Sequence, residues 1–534
     1  KFLCPSGDYR ELMLQQTQEI LENYEVDGFW YDICNLETCY CDICLAAMAQ
    51  QGIDIEDLDA VQKFTVDKWE SFLTACRDKI RAYSPQATCF FNGLTHVVTP
   101  QRILDQETHY ELEDLPTVWG GYDKLPPRAR YFAPEGKSLI AMSGKFHTAW
   151  GEFGGYKHPD AIKYEAAAMC AYGAMCNFGD QLHPNGKLDE QTYRNIGEAF
   201  SYVEKVEPWL RGTKPKTNLG VMFSVEKYNG AVHGTGSSAH DEGICQMLME
   251  SQLDFERADA GGDLSKFDAV ILTGKRCLNA ETGKQLEEYA KSGGKVLILG
   301  ESALVEGEDK LALDIGGEYQ GPGRFDRDFT VAGEALQALG DLGQGPVLNY
   351  MPAVRIKPTT GETLAVIHEP YFSRTYGKYT SHQNTPYQNE PSEHAGAIKH
   401  GNILTLPHMH GDQYLAQGAR QHRELVIAAL KLLGFEPTVK IDGLLSSGRM
   451  AMYEQAGENR HVLHLLYGSP TPRGRTRVIE DLPAIHDVKV SVDVSGVTKA
   501  RLPLTGEDLP VSSDGGRVSF TVPTVKCHAL VELS

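Results

Sequence analysis

Apolar and polar positions alternate with two different periods along residues 1–212. Residues 9–24 repeat apolar positions every three or four residues, as an amphipathic helix does, and the apolar run at 26–33 that follows predicts a buried strand. The same two signals then recur along the chain. Further strands are predicted at 88–92, 108–113, 138–146 and 175–181, and further helices at 56–82, 159–172 and 189–206.

This repetition is typical of a (β/α)8 TIM barrel, in which parallel strands alternate with helices. The predicted strands are three short of a closed barrel. The chain also begins at Lys1-Phe2-Leu3, without an initiator methionine or a signal peptide. We therefore expect that the N-terminal part of the barrel is missing and that the predicted strands are the fourth to the eighth.

A second α/β pattern follows the barrel. Strands are predicted at 218–223, 269–274 and 295–300, and helices at 243–250, 279–291 and 418–433. Their order favours an open doubly wound sheet of the flavodoxin or class I amidotransferase-like type, interrupted at 350–410 by a stretch rich in His, Tyr and Asn. Short alternating strands with Gly, Pro and Asp turns then predict a β-sandwich. The predicted domains are 1–212, 213–437 and 438–534.

The net charge indicates which partners are excluded, and the cysteine content indicates which cellular compartment is favoured. The formal net charge is −21 and no Lys/Arg-rich block occurs, which argues against nucleic-acid and anionic-membrane partners. No run of 18 apolar residues is present, so no membrane-spanning segment is predicted. Twelve mostly scattered cysteines and the absence of an Asn-x-Ser/Thr sequon favour a cytoplasmic protein.

Candidate acids lie where predicted strands end. Asp32 closes the first strand, and His109, Glu111 and Glu113 share one face of the third because side chains alternate along a strand. Carboxyl groups from separate strands are what glycoside hydrolysis requires, one ionised and one protonated. The alternatives are an ion-pair network at the barrel rim and, for Asp32, a helix cap or a loop aspartate.

Sugar-binding residue types surround these acids. A pyranose offers an apolar face for stacking on Trp and hydroxyl groups for polar side chains. Each such residue could instead be a satisfied core residue, and their shared position at strand ends favours binding. The predicted substrate-binding residues are His109, Trp30, Asn92, Lys145, His147, Trp150, Asp180 and His183.

Three thiols lie close together in Cys39-x-Cys41-x2-Cys44, and Cys4 lies near the start of the chain. Four thiolates at such spacing form closed, tetrahedral, structural zinc sites. We therefore predict that Cys4, Cys39, Cys41 and Cys44 bind a structural zinc ion, with free cysteines as the alternative.

Several segments carry a resemblance to a known group of enzymes. They are residues 26–32, 111–116, 146–151, 179–184, 369–374 and 381–386. With them the chain resembles bacterial α-L-fucosidase-like barrel glycosidases, in which a β-galactosidase-type trimerisation domain and a small β-domain follow the barrel.

The resemblance implies a retaining exo-glycoside hydrolase, an α-L-fucosidase acting on oligosaccharides without a catalytic cofactor. Asp32 matches the nucleophile, and we prefer Glu113 to Glu111 as the acid/base because it lies nearer the carboxyl end of its strand. The Cys-x-Cys-x2-Cys element is similar to the zinc cluster of some β-galactosidases that share the trimerisation domain. The alternatives are a β-galactosidase-type glycosidase and a catalytically inactive carbohydrate-binding or assembly protein.

The polar stretch at 350–410 also predicts assembly. Its tyrosines and histidines are too polar for the core of the second domain and too aromatic for an idle loop. The resembled family associates through this domain. We therefore hypothesise a homotrimer in which Arg374 and His382 of one subunit approach the barrel mouth of the next.

Overall fold

The computed structural model describes residues 3–224 and 239–534. The helices are α1 (Asp8–Asn23), α2 (Asp42–Gln50), α3 (Leu58–Tyr83), α4 (Gln101–Leu104), α5 (Leu125–Phe132), α6 (Pro159–Ala171), α7 (Glu190–Val206), α8 (Ala239–Glu250), α9 (Ala280–Lys291), α10 (Glu334–Gln337), α11 (His410–Gln417) and α12 (Arg420–Leu432). The strands are β1 (Gly28–Tyr31), β2 (Thr88–Phe91), β3 (Tyr110–Glu113), β4 (Leu139–Gly144), β5 (Met175–Gly179), β6 (Lys214–Pro215), β7 (Leu219–Met222), β8 (Glu256–Arg257), β9 (Ala269–Leu272), β10 (Lys295–Leu299), β11 (Gly317–Tyr319), β12 (Asp328–Ala332), β13 (Val347–Asn349), β14 (Ile356–Pro358), β15 (Glu362–His368), β16 (Ala395–His400), β17 (Ile403–Leu406), β18 (Val439–Asp442), β19 (Gly448–Gln455), β20 (Arg460–Tyr467), β21 (Thr471–Arg473), β22 (Thr476–Val478), β23 (Ala484–Val492), β24 (Ala500–Leu502), β25 (Glu507–Leu509), β26 (Ser512–Asp514) and β27 (Arg517–Leu533).

The chain divides into two compact units, and the first comprises described residues 3–152 and 174–181. Its strands are all parallel. β1 pairs with β2, and β3, β4 and β5 pair in that order. The Thr108 amide donates to the Cys89 carbonyl at 2.9 Å, which links the approach to β3 with β2. Parallel strands alternating with helices are the arrangement predicted from the sequence.

The core of this unit lies between strands and helices. Tyr31 and Phe91 from neighbouring strands pack with Leu73 and Ile80 of α3. The helix α3 begins at a capping residue, because the Asp57 side chain accepts from the Ala60 amide, and it ends before Pro85 as predicted.

Three helices of this unit were not predicted, and α5 shows why. Pro126 and Pro127 stand at its start and read as breakers in a sequence, although proline is accepted in the first helical turn. The helix α2 follows the cysteine cluster and is only nine residues long. The helix α4 is a single turn.

The second unit comprises described residues 153–173, 182–224 and 239–534. Its α/β part is a nine-stranded sheet with the order β13-β12-β15-β16-β17-β10-β9-β7-β8. The strands from β17 to β8 are parallel, and those from β13 to β16 form an antiparallel extension. Apolar clusters cover both faces, as in a doubly wound sheet.

The prediction that residues 350–410 interrupt this sheet is wrong. The strands β15, β16 and β17 lie within the stretch and belong to the sheet. β15 begins with the exposed residues Glu362 and Thr363 and continues with the buried residues Leu364, Ala365 and Ile367, which pack in the core. His408 and His410 are fully buried, so they are not part of an exposed insert.

The C-terminal part consists of antiparallel strands around one apolar cluster. The long strand β27 pairs with β23 through residues 518–526 and with β20 through residues 527–533. Cys527, with φ of 63°, marks the point where β27 passes from one sheet to the other. The predicted β-sandwich therefore shares one strand between its two sheets.

None of the helices in the described ranges is both long and apolar enough to cross a bilayer.

Candidate active site

The carboxyl ends of β1 and β2 bring two polar side chains together. Tyr31 pairs with Phe91, so Asp32 and Asn92 follow their strands side by side. The Asn92 amide Nδ2 donates to Asp32 Oδ1 at 2.8 Å. The two predicted site residues therefore meet at one edge of the strands.

The backbone after Asp32 is strained. Ile33 has φ of 53°, a conformation that β-branched residues rarely adopt, and its amide donates to Asp32 Oδ1 at 3.0 Å. Strain of this kind persists where the surroundings enforce it and is concentrated at functional sites. The carboxylate of Asp32 is therefore held by its own turn and by Asn92.

Glu113, the last residue of β3, faces the same group. Burial and the negative charge of Asp32 raise its pKa, while Lys124, a hydrogen bond from Asn92 and Arg128 oppose the rise. The two acids thus lie close enough for the charge of Asp32 to act on Glu113. A carboxyl with a raised pKa close to a second acid is the arrangement that glycoside hydrolysis uses.

Glu111 lies two residues earlier on β3 and therefore in a lower layer of side chains, about 7 Å towards the amino end. Its oxygens meet His109 Nε2 at 3.2 Å and Trp30 Nε1 at 3.3 Å. Phe90 stacks between Trp30 and His109, with ring centroids 6.1 and 5.2 Å away. Trp30, His109 and Glu111, all predicted site residues, line a cleft of about 510 Å³ at the amino ends of the strands. The structure does not bring them to Asp32.

Polar residues also follow β4 and β5. Lys145 is buried, its amide donates to the Gly179 carbonyl at 3.0 Å, and its Nζ lies 3.6 Å from Asp180 Oδ1. Trp150 covers Gly179 so closely that a Cβ there would lie 2.6 Å from the indole ring. Lys145, Asp180 and Trp150, which were all predicted to bind substrate, therefore lie at the same edge of β4 and β5.

The loop that carries His147 is held by Glu152, a residue the sequence analysis did not select. Its carboxylate accepts from the amides of His147 at 3.0 Å and Thr148 at 2.8 Å, and from the Thr148 hydroxyl. The predicted residue His183 belongs to the second unit, where its ring meets that of Phe153 at 5.8 Å.

Two more charged residues were missed after β3. Lys124 Nζ donates to Asp114 Oδ1 at 3.0 Å, and both side chains are largely buried. Arg128 donates to the carbonyls of Glu113 at 3.2 Å and Thr95 at 3.1 Å. Charged residues in a loop and on a short helix look like surface residues in a sequence, so no pattern distinguished them.

The four cysteines of the predicted metal site do come together. The sulfur atoms of Cys4, Cys39, Cys41 and Cys44 all lie within 4.8 Å of one another, and those of Cys4 and Cys44 are 3.4 Å apart. Four thiolates at such distances match the donor set of a tetrahedral zinc ion.

Arg374 and His382 lie on an exposed loop between β15 and β16 in the second unit. The Arg374 guanidinium donates to the Gln383 carbonyl at 2.7 Å. The same loop exposes Tyr376 completely and Tyr379 by 74%.

The chain matches no protein-family model and no curated protein. Among solved structures it is similar over its whole length to the α-L-fucosidase isoenzyme 2 from Paenibacillus thiaminolyticus, with a TM-score of 0.92, 32% identity and 81% of that chain covered. It is also similar to the β-galactosidase from Bacillus circulans sp. alkalophilus, with a TM-score of 0.66 and 13% identity over 99% of this chain and 83% of that one. A β-galactosidase from the Antarctic haloarchaeon Halorubrum lacusprofundi gives a TM-score of 0.60 and 14% identity over the same shares of the two chains. At such identities the β-galactosidases show the fold alone.

The chain has the fold of TIM-barrel glycoside hydrolases in which an α/β domain and a β-sandwich follow the barrel, which confirms the predicted fold class. The similarity to the α-L-fucosidase confirms the predicted enzyme class, a glycoside hydrolase. Within that class, the chain belongs to the family of the Paenibacillus α-L-fucosidase isoenzyme 2.

Proposed function

We propose that this protein is a retaining α-L-fucosidase that removes terminal fucose from oligosaccharides, with Asp32 as nucleophile and Glu113 as acid/base. The observation that carries the proposal is the position of Asp32, held by Asn92 Nδ2 at 2.8 Å and close enough for its negative charge to raise the pKa of Glu113. The 32% identical relative, which is an α-L-fucosidase, supports the choice of sugar.

The chemistry follows from these positions. Asp32 attacks the anomeric carbon and forms a glycosyl ester, while protonated Glu113 donates its proton to the departing glycosidic oxygen. Glu113, now ionised, then takes a proton from water, which attacks the ester and releases the sugar and the Asp32 carboxylate. The anomeric configuration is retained because two displacements occur. A carboxyl group with a raised pKa suits the first role, since it must be protonated when the substrate binds.

A panel of aryl glycosides tests the substrate class. We expect hydrolysis of the α-L-fucoside, and NMR of the first product should show the α-anomer. Hydrolysis of the β-D-galactoside alone would select the β-galactosidase-type alternative, which the fold neighbours support only through their architecture. Binding of sugars without hydrolysis of any glycoside would select the inactive carbohydrate-binding protein.

We also propose that Cys4, Cys39, Cys41 and Cys44 hold a structural zinc ion. A site closed by four protein ligands stabilises the fold without taking part in chemistry. Metal analysis should find about one equivalent of zinc per chain, and Cys44→Ser should lose it. Cys34→Ser is the matched control, because Cys34 is buried but lies outside the cluster. Less than about half an equivalent of zinc in the wild type would contradict this proposal.

The exposed tyrosines beside Arg374 and His382 support the proposed homotrimer. Cyclic three-fold packing is heterologous, so this loop would meet a different surface of the next subunit, its barrel mouth. Light scattering should give three times the chain mass, and His382→Ala should lower activity. A monomer at micromolar concentration with undiminished activity would contradict both parts. The described cysteines form no disulfide bond with one another, which supports the predicted cytoplasmic location.

A further inference from the structure

The segment between β3 and α5, residues 114–124, is a closed loop that begins directly after Glu113. The ion pair between Asp114 and Lys124 ties its two ends together at 3.0 Å, with the side chains only 6% and 15% exposed. A buried ion pair that joins the ends of a loop fixes the path of the residues between them. This loop is therefore part of the scaffold around Glu113.

Trp119 is displayed at the tip of this loop. The amides of Val118 and Trp119 donate to the Leu115 carbonyl at 2.9 and 2.7 Å, which forms a single helical turn. The chain then reverses through Gly120 and Gly121, both with φ of 76°. A Cβ at Gly120 would lie 2.6 Å from the Lys124 side chain, so the turn packs directly on the ion pair.

The indole of Trp119 nevertheless remains 40% exposed. A large apolar ring held by an ordered turn and left open to solvent is the kind of surface on which a pyranose stacks. Trp150 is equally exposed, but it lies over Gly179 and Phe146, at the end of other strands. The two tryptophans therefore lie after different strands.

The backbone limits how far Trp119 lies from Glu113. One helical turn places the Cα atoms of Leu115 and Trp119 about 6 Å apart, and Leu115 is two residues beyond Glu113, at most about 7 Å. The Cα of Trp119 thus lies within about 13 Å of that of Glu113. That limit places Trp119 within reach of a sugar unit next to the bond being cleaved.

The strand from which the loop continues determines whether the loop lies near the glycone or near the leaving group. An acid/base donates its proton to the leaving oxygen, so the leaving group lies on the side of Glu113, whereas the nucleophile Asp32 lies on the side of the glycone. The loop that carries Trp119 continues the strand of Glu113 and therefore begins on the side of the leaving group.

We propose that Trp119 is a specificity-determining residue that stacks on the apolar face of the leaving pyranose. The inference rests on the proposed function, because it takes Glu113 as the acid/base. The preferred substrates are then saccharides in which fucose is attached to a second pyranose, and not fucosides of small or aliphatic alcohols.

The test compares α-L-fucosyl fluoride, which has no leaving sugar, with a fucosyl-galactose disaccharide. Trp119→Ala should lower kcat/KM for the disaccharide about tenfold and leave the fluoride unchanged, and Trp119→Phe should restore most of the loss. Tyr83→Ala is the matched control, because Tyr83 is 55% exposed and precedes the amino end of β2. It should change neither rate.

An equal loss on both substrates, or no loss on either, would overturn the role of Trp119. If the wild type hydrolyses neither substrate, the proposed function fails, but stacking can still be measured. Calorimetric titration with the disaccharide and with free fucose should then show that Trp119→Ala weakens only disaccharide binding. Equal affinities of wild type and variant for the disaccharide would overturn the inference in that case too.

Discussion

Acidic residues lie at the carboxyl edge of the barrel strands and at that of the α/β sheet, but they differ in burial and in pKa. In the α/β sheet, Asp328 is fully buried and accepts from Asn349 Nδ2 at 3.0 Å, His408 Nε2 at 2.7 Å, the Ala353 amide at 3.0 Å and Arg355 at 2.9 Å. Despite burial, which opposes ionisation, His408 and Arg355 hold the pKa of Asp328 at about 2.

In the barrel, by contrast, Asp32 is exposed and Glu113 has a raised pKa. The comparison shows that an acid at a strand end is not in itself a catalytic group. A carboxylate whose acceptor positions are filled by buried donors stabilises the fold. One that remains accessible, next to a second acid, is available for chemistry.

The largest expected effect comes from Asp32→Asn, which removes the nucleophile and keeps its shape. The activity towards fucosides should fall on the order of 10⁵-fold, while the unfolding midpoint stays within the error of the measurement. Steady-state kinetics measure the loss of activity, and thermal unfolding measures the midpoint. More than about a tenth of the wild-type activity would remove Asp32 from this role.

Glu113→Ala should have the next largest effect, and it should depend on the leaving group. Disaccharides should react about 10²–10³-fold more slowly, whereas fucosides with activated aryl groups should lose much less, since they leave without protonation. The alkaline limb of the pH profile of kcat/KM should also disappear, because it reports deprotonation of Glu113. Glu111→Gln is the matched control, because Glu111 lies one layer below. A leaving-group dependence in that variant would move the acid/base role to Glu111.

Asp328→Asn should act on stability and not on chemistry. The amide cannot accept from Arg355 and His408 together, so two buried donors lose their partner, with a loss of about 3–5 kcal/mol in the free energy of unfolding. Urea unfolding measures this loss. The kcat/KM of the protein that remains folded should stay close to that of the wild type. A variant as stable as the wild type would show that the Asp328 network is not structural.

The smallest effect concerns the buried histidines of the α/β domain. His410 Nδ1 and His422 Nδ1 are 3.0 Å apart, and burial lowers the pKa of His410 well below its usual value and that of His422 to about 4. Above pH 6.5 both are neutral in the folded and the unfolded state. As the pH falls towards 4, the unfolded state binds protons that the folded state does not, so stability decreases.

At pH 5.5 each such histidine should account for about 1.4 kcal/mol of this decrease. The free energy of unfolding measured against pH should therefore have a shallower slope in His422→Gln. His486→Gln, at an exposed position, is the control and should keep the wild-type slope. Identical slopes in all three proteins would contradict the assignment.

Most strands and long helices could be predicted because their periods are regular, as for β5 at Met175–Gly179 within the predicted 175–181. The face of β3 and the greater depth of Glu111 were also predictable, because side chains alternate along a strand. The partners of Glu111 were not, because its contacts with Trp30 and His109 depend on how the strands lie beside one another. Lys124 closes the 114–124 loop through a tertiary contact, and no local sequence pattern indicates that contact.

The passage of β27 through both sheets has a consequence for how the protein is made. The Tyr202 hydroxyl meets His528 Nδ1 at 2.5 Å across 326 residues of chain, and Trp209 donates to Glu532 across 323. At about 5–20 residues per second, a ribosome needs roughly 16–65 s to make the intervening chain. Until β27 emerges, β20 and β23 each present an edge without its neighbour, and such edges recruit strands from other chains. We therefore expect that the nascent chain depends on chaperones until β27 has been synthesised.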